Sequence, residues 1–197
     1  MLVSHKLKFL YIHIPKNWGS SLYTSFKQVD EDLIDTHMPD EGNRVDKTHM
    51  LPQHHCKYEV IQSAIDDGYK IFSTIREPED RFYSFLKYAR TYLNNPNHRF
   101  YDYCYINAIR NKAYLQSCMF IHGCPQSEFI YDGERKITDK DFLCDENLFE
   151  NLSEYFGVEI KGSHKNPSPE NVENNIEFDD FKDIYKLDQQ LYNALKS

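Results

Sequence analysis

The apolar positions of this chain form short runs that predict alternating strands and helices. Residues 8–14 are rich in β-branched and aromatic types and stop at Pro15, which predicts a short buried strand. Residues 70–75 have the same character and predict a second strand. After the first strand, Leu22 and Phe26 recur at helical spacing, and another apolar helical face follows the second strand. We therefore expect two strand–turn–helix units.

Weaker apolar patterns predict the remaining helices and strands of the chain. The predicted helices cover residues 57–67, 98–121, 146–156 and 178–196, the weak strands 127–131 and 140–144, and the loops 30–47 and 161–177. Alternating strands and helices imply a three-layer α/β fold, in which helices cover both faces of a mostly parallel sheet. The length of 197 residues fits a single domain, residues 1–197.

Composition narrows the classes of function and compartment. The formal net charge of −8 argues against nucleic-acid binding, which needs basic surface to displace counterions. The longest apolar runs are too short to span a bilayer, and the first residues, MLVSHKLKF, lack the apolar core of a secretory signal. The five cysteines are odd in number and irregularly spaced, which is typical of reduced thiols. We expect a cytoplasmic protein without a membrane span.

The turn after the first predicted strand carries the first candidate site. Lys16 would lie at a helix N-terminus together with backbone N–H groups and the Ser20 and Ser21 hydroxyls, an arrangement that favours phosphate or sulfate. Lys16 precedes Gly19, so the segment is not the GxxxxGK[ST] loop of nucleotide triphosphatases. A connecting loop with one surface lysine explains the same residues equally well.

The second predicted strand leads to the second candidate site, residues 74–84. Arg76 follows the strand directly, and arginine makes forked contacts with phosphate. A helix that starts at Pro78 would carry Arg81 and Ser84 near one another on its first turns. The alternative is a solvated helix start, in which Arg81 pairs with the acidic residues around it.

Together the two segments resemble the sulfotransferase superfamily, and its carbohydrate-type branch in particular. Residues 14–22, IPKNWGSSL, are similar to a family motif of the form IPKTGGTSL. Residues 75–88, IREPEDRFYSFLKY, are similar to a second motif of the form LRdPxxRfxSxyxy. Weaker similarities lie at residues 48–52 (THMLP, to a GHLP-like segment), 142–148 (FLCDENL, to a strand–helix junction), and 164–166 and 185–192 (to a late loop and closing helix).

The resemblance implies a P-loop nucleotide-hydrolase-like sulfotransferase fold and a donor, 3′-phosphoadenosine 5′-phosphosulfate (PAPS). The product would be 3′,5′-adenosine bisphosphate (PAP), and no metal is implied. The acceptor would be a hydroxyl of a carbohydrate or another small molecule. The implied donor-binding residues are Lys16, Asn17, Trp18, Gly19, Ser20 and Ser21 for the 5′-phosphosulfate, and Arg76 and Ser84 for the 3′-phosphate.

Trp18 departs from the family pattern, in which this position is small. Its bulky side chain must point away from the phosphate, or the loop geometry must differ. Stacking on the adenine and lining the acceptor cleft are the other roles that stay open.

The resemblance also implies two catalytic residues, Lys16 and His49. Lys16 would stabilise charge on the bridging oxygen as the sulfur–oxygen bond breaks. His49 would be the general base, because it lies in the segment where the enzymes that this chain resembles place a catalytic histidine, and imidazole titrates near neutral pH. His13, close to Lys16, and Glu77, beside Arg76, are the alternatives for the base.

Other residues of the chain offer weaker candidate sites. Residues 54–56 (HHC) and the set Cys118, His122 and Cys124 lack the paired spacing of structural zinc sites. Asp188 lies near the apolar stripe of the last helix, and we expect it to pair with a buried arginine or a backbone donor. Two alternative functions stay open. One is a kinase-like phosphotransferase, although such enzymes need a GK[ST] loop, and the other is a non-catalytic descendant of a sulfotransferase that binds a nucleotide.

Overall fold

Five strands of the described residues form a mixed sheet. The computed structural model describes residues 1–36, 51–52, 55–93, 98–113, 118–162 and 176–197. Its strands are β1 (Leu2–Ser4), β2 (Phe9–Ile12), β3 (Ile34–Asp35), β4 (Lys70–Ile75), β5 (Tyr131–Asp132), β6 (Arg135–Lys136) and β7 (Lys140–Leu143). Its helices are α1 (Gly19–Val29), α2 (His55–Asp66), α3 (Pro78–Leu93), α4 (His98–Arg110), α5 (Cys118–Ile121), α6 (Ser127–Ile130), α7 (Leu148–Phe156) and α8 (Lys186–Lys196), with a 3₁₀ turn at Phe178–Asp180.

The strand order is β3-β1-β2-β4-β7. Strand β4 lies between β2 and β7 and is parallel to both, whereas β1 is antiparallel to β2 and β3. The α/β class is confirmed, but the expectation of a mostly parallel sheet is wrong. Residues 5–8 alone connect β1 to β2. A connection of this length makes a hairpin and is too short for the crossover that parallel strands need.

Alternate residues of β2 face opposite sides of the sheet. Leu10 and Ile12 belong to a core that also holds apolar residues of α2, α3 and α4. Phe9 and Tyr11 belong to a second core with residues of α1 and α7. Helices therefore cover both faces, because a strand buried on both sides offers an apolar residue to each.

The first predicted strands and most of the predicted helices are close to the observed ones. Strand β4 covers the predicted residues 70–75, and β2 occupies the middle of the predicted 8–14. Helix α3 begins at Pro78 as expected. Within the predicted 98–121, α4 ends at Arg110, and Lys112 beyond it has a positive φ of 57°. A residue in that left-handed conformation ends a helix.

Residues 127–131 were predicted as a strand, and this is wrong for all but the last of them. Residues 127–130 form α6. The carboxylate of Asp188 accepts hydrogen bonds from the backbone N–H groups of Gln126 (2.6 Å) and Ser127 (2.9 Å). These donors would otherwise lack partners at a helix start. A contact with a distant helix thus decides the local structure, and it confirms the expected pairing of Asp188 with backbone donors.

The predicted last helix, 178–196, is regular only in its second part. Phe178, Phe181 and Tyr185 pack their rings around Phe82, with centroid distances of 5.5, 6.1 and 5.9 Å. Their spacing is typical of a helix, but the segment forms a 3₁₀ turn and further turns before α8 begins at Lys186.

Among the described residues, every helix is too short or too polar to span a lipid bilayer.

Candidate functional site

The two motif segments meet at one edge of the sheet. Strands β2 and β4 are parallel and in register, with Ile12 opposite Ser73. The Lys16 turn (residues 13–18) and the Arg76 turn (residues 76–77) therefore leave the sheet side by side. A hydrogen bond of 3.3 Å from Nη1 of Arg76 to the carbonyl oxygen of Lys16 joins them. In open α/β sheets this carboxyl edge is where ligands bind.

The backbone of the Lys16 turn is strained. Lys16 and Trp18 both have positive φ angles, 69° and 59°, which side chains with a Cβ rarely adopt. Asn17, which lies between them, is fully buried and holds the turn to β4. Its carbonyl oxygen accepts a hydrogen bond from the Thr74 hydroxyl (3.0 Å), and its Nδ2 donates to the Thr74 carbonyl (2.6 Å). Such strain persists only where surrounding contacts enforce it, and it is common at functional sites.

The Lys16 ammonium lies over an aromatic ring of α3. Its Nζ is 4.6 Å from the centroid of the Tyr88 ring. Tyr88 follows Ser84 by one helical turn, so both project from the same face of α3. Lys16 is thus brought to the helix that carries Ser84, although the two residues are far apart in sequence.

Desolvation and positive neighbours lower the pKa of Lys16. Partial burial is the larger cause, and the charges of Arg76 and Arg81 add to it. A cation in this setting gains more from an anion than a solvated lysine does, because it has fewer water contacts to lose.

The start of α1 packs closely against His13. A Cβ added to Gly19 would lie 2.0 Å from Nε2 of His13, so this position has no room for a larger residue while the imidazole keeps its place. The His13 ring also stacks on Tyr11, with a centroid distance of 5.9 Å. In the first turn of α1, Ser20 is exposed and Ser21 is buried. The imidazole of His13 is thus half-buried at the start of α1 and is not a fully buried core residue.

Arg81 is a structural residue. Its side chain is only 1% exposed, so the alternative of a solvated arginine that pairs with nearby acids is wrong. Nε donates to the carbonyl of Pro15 (3.0 Å), Nη1 to that of Cys124 (2.9 Å) and Nη2 to that of His122 (3.2 Å). The planar guanidinium group has several N–H donors, so it can bond several carbonyl oxygens at once. In Arg81 these donors are used on main-chain oxygens. Arg81 therefore stabilises the Lys16 turn through its hydrogen bond to the Pro15 carbonyl.

The sequence interpretation missed two side chains of this region, Tyr88 and Gln126. Tyr88 lies within the second motif, and its spacing of four residues from Ser84 was a usable signal. Its ring stacks on His122, with centroids 4.6 Å apart. Gln126 is fully buried between the two turns, and no local pattern points to it, since its partners are distant in sequence.

The three candidates for the base have different outcomes. His49 lies outside the described residues, so its role stays a prediction. His13 lies half-buried in the Lys16 turn. Glu77 is exposed at the start of α3, where its carbonyl accepts the backbone N–H of Arg81 (2.9 Å). Of the latter two, His13 is thus the one that packs against the first turn of α1.

Trp18 packs against α7. Its ring stacks on Phe149 at a centroid distance of 6.5 Å and an interplanar angle of 22°. Phe149 also occupies the space beside Gly162, where an added Cβ would lie 2.7 Å from its ring. The half-buried indole therefore packs against the second core, and a role in stacking on adenine stays a prediction.

Burial restricts the chemistry of one further group near the site, the thiol of Cys144. Cys144 follows β7, and burial of its thiol raises its pKa to about 12. The sulfur is therefore protonated at neutral pH and is a poor nucleophile. Among the described residues, no three His, Cys, Asp or Glu side chains come together in a group that would hold a metal ion.

The chain matches no protein-family model, no curated protein and no solved structure. The functional interpretation therefore depends on the motifs and on the geometry of this edge of the sheet.

Proposed function

We propose that this chain is a PAPS-dependent O-sulfotransferase with a P-loop-like sulfotransferase fold. The observation that carries the proposal is the contact between the two motif turns, in which Nη1 of Arg76 lies 3.3 Å from the carbonyl oxygen of Lys16. A donor that carries a phosphosulfate at the 5′ position and a phosphate at the 3′ position of one ribose fits two cationic turns that lie next to each other. The two motif turns provide this arrangement at the ligand-binding edge of parallel strands.

The groups of the site fit a polyanionic donor. Lys16, the first turn of α1 and Ser20 would hold the 5′-phosphosulfate, since a helix start adds N–H donors and partial positive charge. Arg76 and Ser84 would hold the 3′-phosphate. Arg76 and Arg81 help to lower the pKa of Lys16 by repulsion between positive charges. A bound anion relieves that repulsion, which favours binding.

The reaction needs little covalent help from the protein. Lys16 would stabilise the negative charge that appears on the 5′-phosphate oxygen as its bond to sulfur breaks. A base would receive the proton that the acceptor hydroxyl loses while its oxygen bonds to sulfur. We propose His49 as this base, with His13 as the alternative because its imidazole lies against the start of α1.

A transfer assay tests the proposal. Labelled PAPS is incubated with the protein and a panel of sugars, lipids and phenols, and labelled product is measured. We expect transfer to a hydroxyl acceptor, with Lys16→Ala and Arg76→Ala each lowering the rate by about 100-fold or more. Matched controls are Lys182→Ala and Arg110→Ala, which remove exposed cations from other surface pairs.

Two outcomes would change the proposal. Donor binding without transfer to any acceptor would favour the non-catalytic descendant, and transfer of a phosphoryl group from ATP would favour the kinase-like alternative. If His49→Ala keeps full turnover across pH whereas His13→Ala does not, the base is His13.

A further inference from the structure

The side chain of Gln126 links the two motif turns. Its Oε1 accepts hydrogen bonds from Nδ2 of Asn17 (2.6 Å) and from the backbone N–H of Arg76 (3.0 Å). Its Nε2 donates to the carbonyl oxygen of Arg76 (2.9 Å). One buried amide thus contacts the Lys16 turn and the Arg76 turn at the same time.

The orientations of the two amides follow from these partners. The main chain of Arg76 offers one donor and one acceptor, so the Gln126 amide fits in one orientation alone. Asn17 must then present Nδ2 to both Oε1 of Gln126 and the carbonyl of Thr74. Within the described part of the chain, the buried Oδ1 of Asn17 accepts no hydrogen bond. The directions of these bonds therefore couple Arg76 to Asn17 through Gln126.

Gln126 is itself held in place from two sides. The carboxylate of Asp188 in α8 accepts the hydrogen bond of its backbone N–H at 2.6 Å. Two residues earlier, the carbonyl of Cys124 accepts a hydrogen bond from Arg81. The backbone that carries the amide is thus hydrogen-bonded to α8 and, two residues earlier, to Arg81.

We infer that Gln126 is a positioning residue that sets the separation of the Lys16 and Arg76 turns, and through it the preference for a nucleotide with a 3′-phosphate. This inference rests on the proposed function. Asn17 lies between two residues with positive φ, so a loss of its hydrogen bond to Gln126 loosens a strained turn. A ligand that contacts both turns should bind more weakly after that change, whereas the affinity of a ligand that contacts one turn should change little.

The test compares the affinities of two ligands for Gln126→Leu, which keeps a similar size but removes the amide. Calorimetry gives the dissociation constants of PAP and of AMP, which lacks the 3′-phosphate. We expect Gln126→Leu to reduce the preference for PAP over AMP by about tenfold, since the three hydrogen bonds by which the amide positions the two turns are lost. Ile61→Ala in α2, a buried substitution outside both turns, is the control for general loss of stability, and it should keep the wild-type preference.

A second variant distinguishes positioning from packing. In Gln126→Glu, the neutral carboxyl group can still donate to the Arg76 carbonyl and accept from Asn17, whereas the carboxylate opposes the Arg76 carbonyl oxygen. The preference for PAP, relative to wild type at each pH, should therefore recover as pH falls. If both Gln126 variants keep the wild-type preference at every pH, the inference is wrong and the proposed function stands. If the wild-type protein has no preference for PAP, the proposed function fails and the inference falls with it.

Discussion

Nη1 of Arg76 donates a hydrogen bond of 3.3 Å to the carbonyl oxygen of Lys16. The two residues are the leading cations of two separate motifs, and their strands are adjacent and parallel. This bond uses one of several guanidinium donors, so the group can brace the Lys16 turn and still present N–H groups to an anion. Through this hydrogen bond, two strand–helix connections that are separate in sequence form one continuous surface at the edge of the sheet.

The lowered pKa of Lys16 predicts the pH dependence of PAP binding. Lys16 contributes while it is charged, so affinity falls as pH rises through its pKa, and this fall begins below the usual range of lysine. Burial is the main cause and Arg76 adds to it, so Arg76→Gln should weaken binding at neutral pH and move the fall to higher pH. Calorimetry from neutral to alkaline pH measures both effects.

Arg110→Gln is the control for this prediction, because Arg110 pairs with Asp183 on an exposed surface. It should leave the alkaline fall where it is. A fall that moves to lower pH in Arg76→Gln, or that does not move, would show that Arg76 does not act on Lys16.

The close contact between Gly19 and His13 predicts coupled effects on stability. Gly19→Ala forces the His13 ring to move, and overpacking of this kind costs about 1–3 kcal/mol. In a His13→Ala background the three imidazole atoms nearest to the added Cβ are gone, so Gly19→Ala should cost less there. Urea unfolding of the four proteins of this double-mutant cycle measures the coupling. Equal effects of Gly19→Ala in both backgrounds would contradict the contact.

Asp188 is expected to be important for stability. It is fully buried and accepts the backbone N–H groups of Gln126 and Ser127. Asp188→Ala leaves both donors without a partner, so we expect the free energy of unfolding to fall by about 3 kcal/mol or more. Asp179→Ala is the matched control, because its ion pair with Lys182 is exposed and should contribute little. Similar losses in the two variants, measured by denaturant unfolding, would show that these hydrogen bonds do not stabilise the fold.

The ring of Tyr88 should hold the Lys16 ammonium in place. Tyr88→Leu removes the aromatic face that lies 4.6 Å from Nζ, and we expect the dissociation constant of PAP to rise about threefold to tenfold. Tyr88→Phe keeps the face and should bind like the wild type. If phenylalanine and leucine weaken binding equally, the hydroxyl matters and the cation–ring contact does not.

Local patterns predicted the elements that depend on local chemistry. The apolar run at residues 70–75 and the helix start at Pro78 are found where they were expected. Strand β1 and its hairpin with β2 were missed because a strand of three residues carries too little pattern, and its other partner, β3, is distant in sequence. For the same reason, the sheet is less parallel than alternation of strands and helices implied.

The site was predictable only in part. Lys16 and Arg76 could be named from their motifs, and parallel strands bring their turns to one edge. The role of Arg81 could not, because the acidic residues beside it in sequence suggested a solvated partner, whereas its real partners are carbonyls of Pro15, His122 and Cys124. Gln126 contacts both turns only after the chain has folded, and no spacing in the sequence indicates that.

The affinity of the protein for PAP, compared with ATP and AMP by calorimetry, tests most directly whether the two turns form one donor site. We predict that PAP binds much more tightly than either of the others, because PAP alone offers phosphates to both the Lys16 turn and the Arg76 turn. Lys16→Ala and Arg76→Ala should each abolish that difference. Equal affinity for ATP and PAP, or an unchanged preference in both variants, would contradict the account.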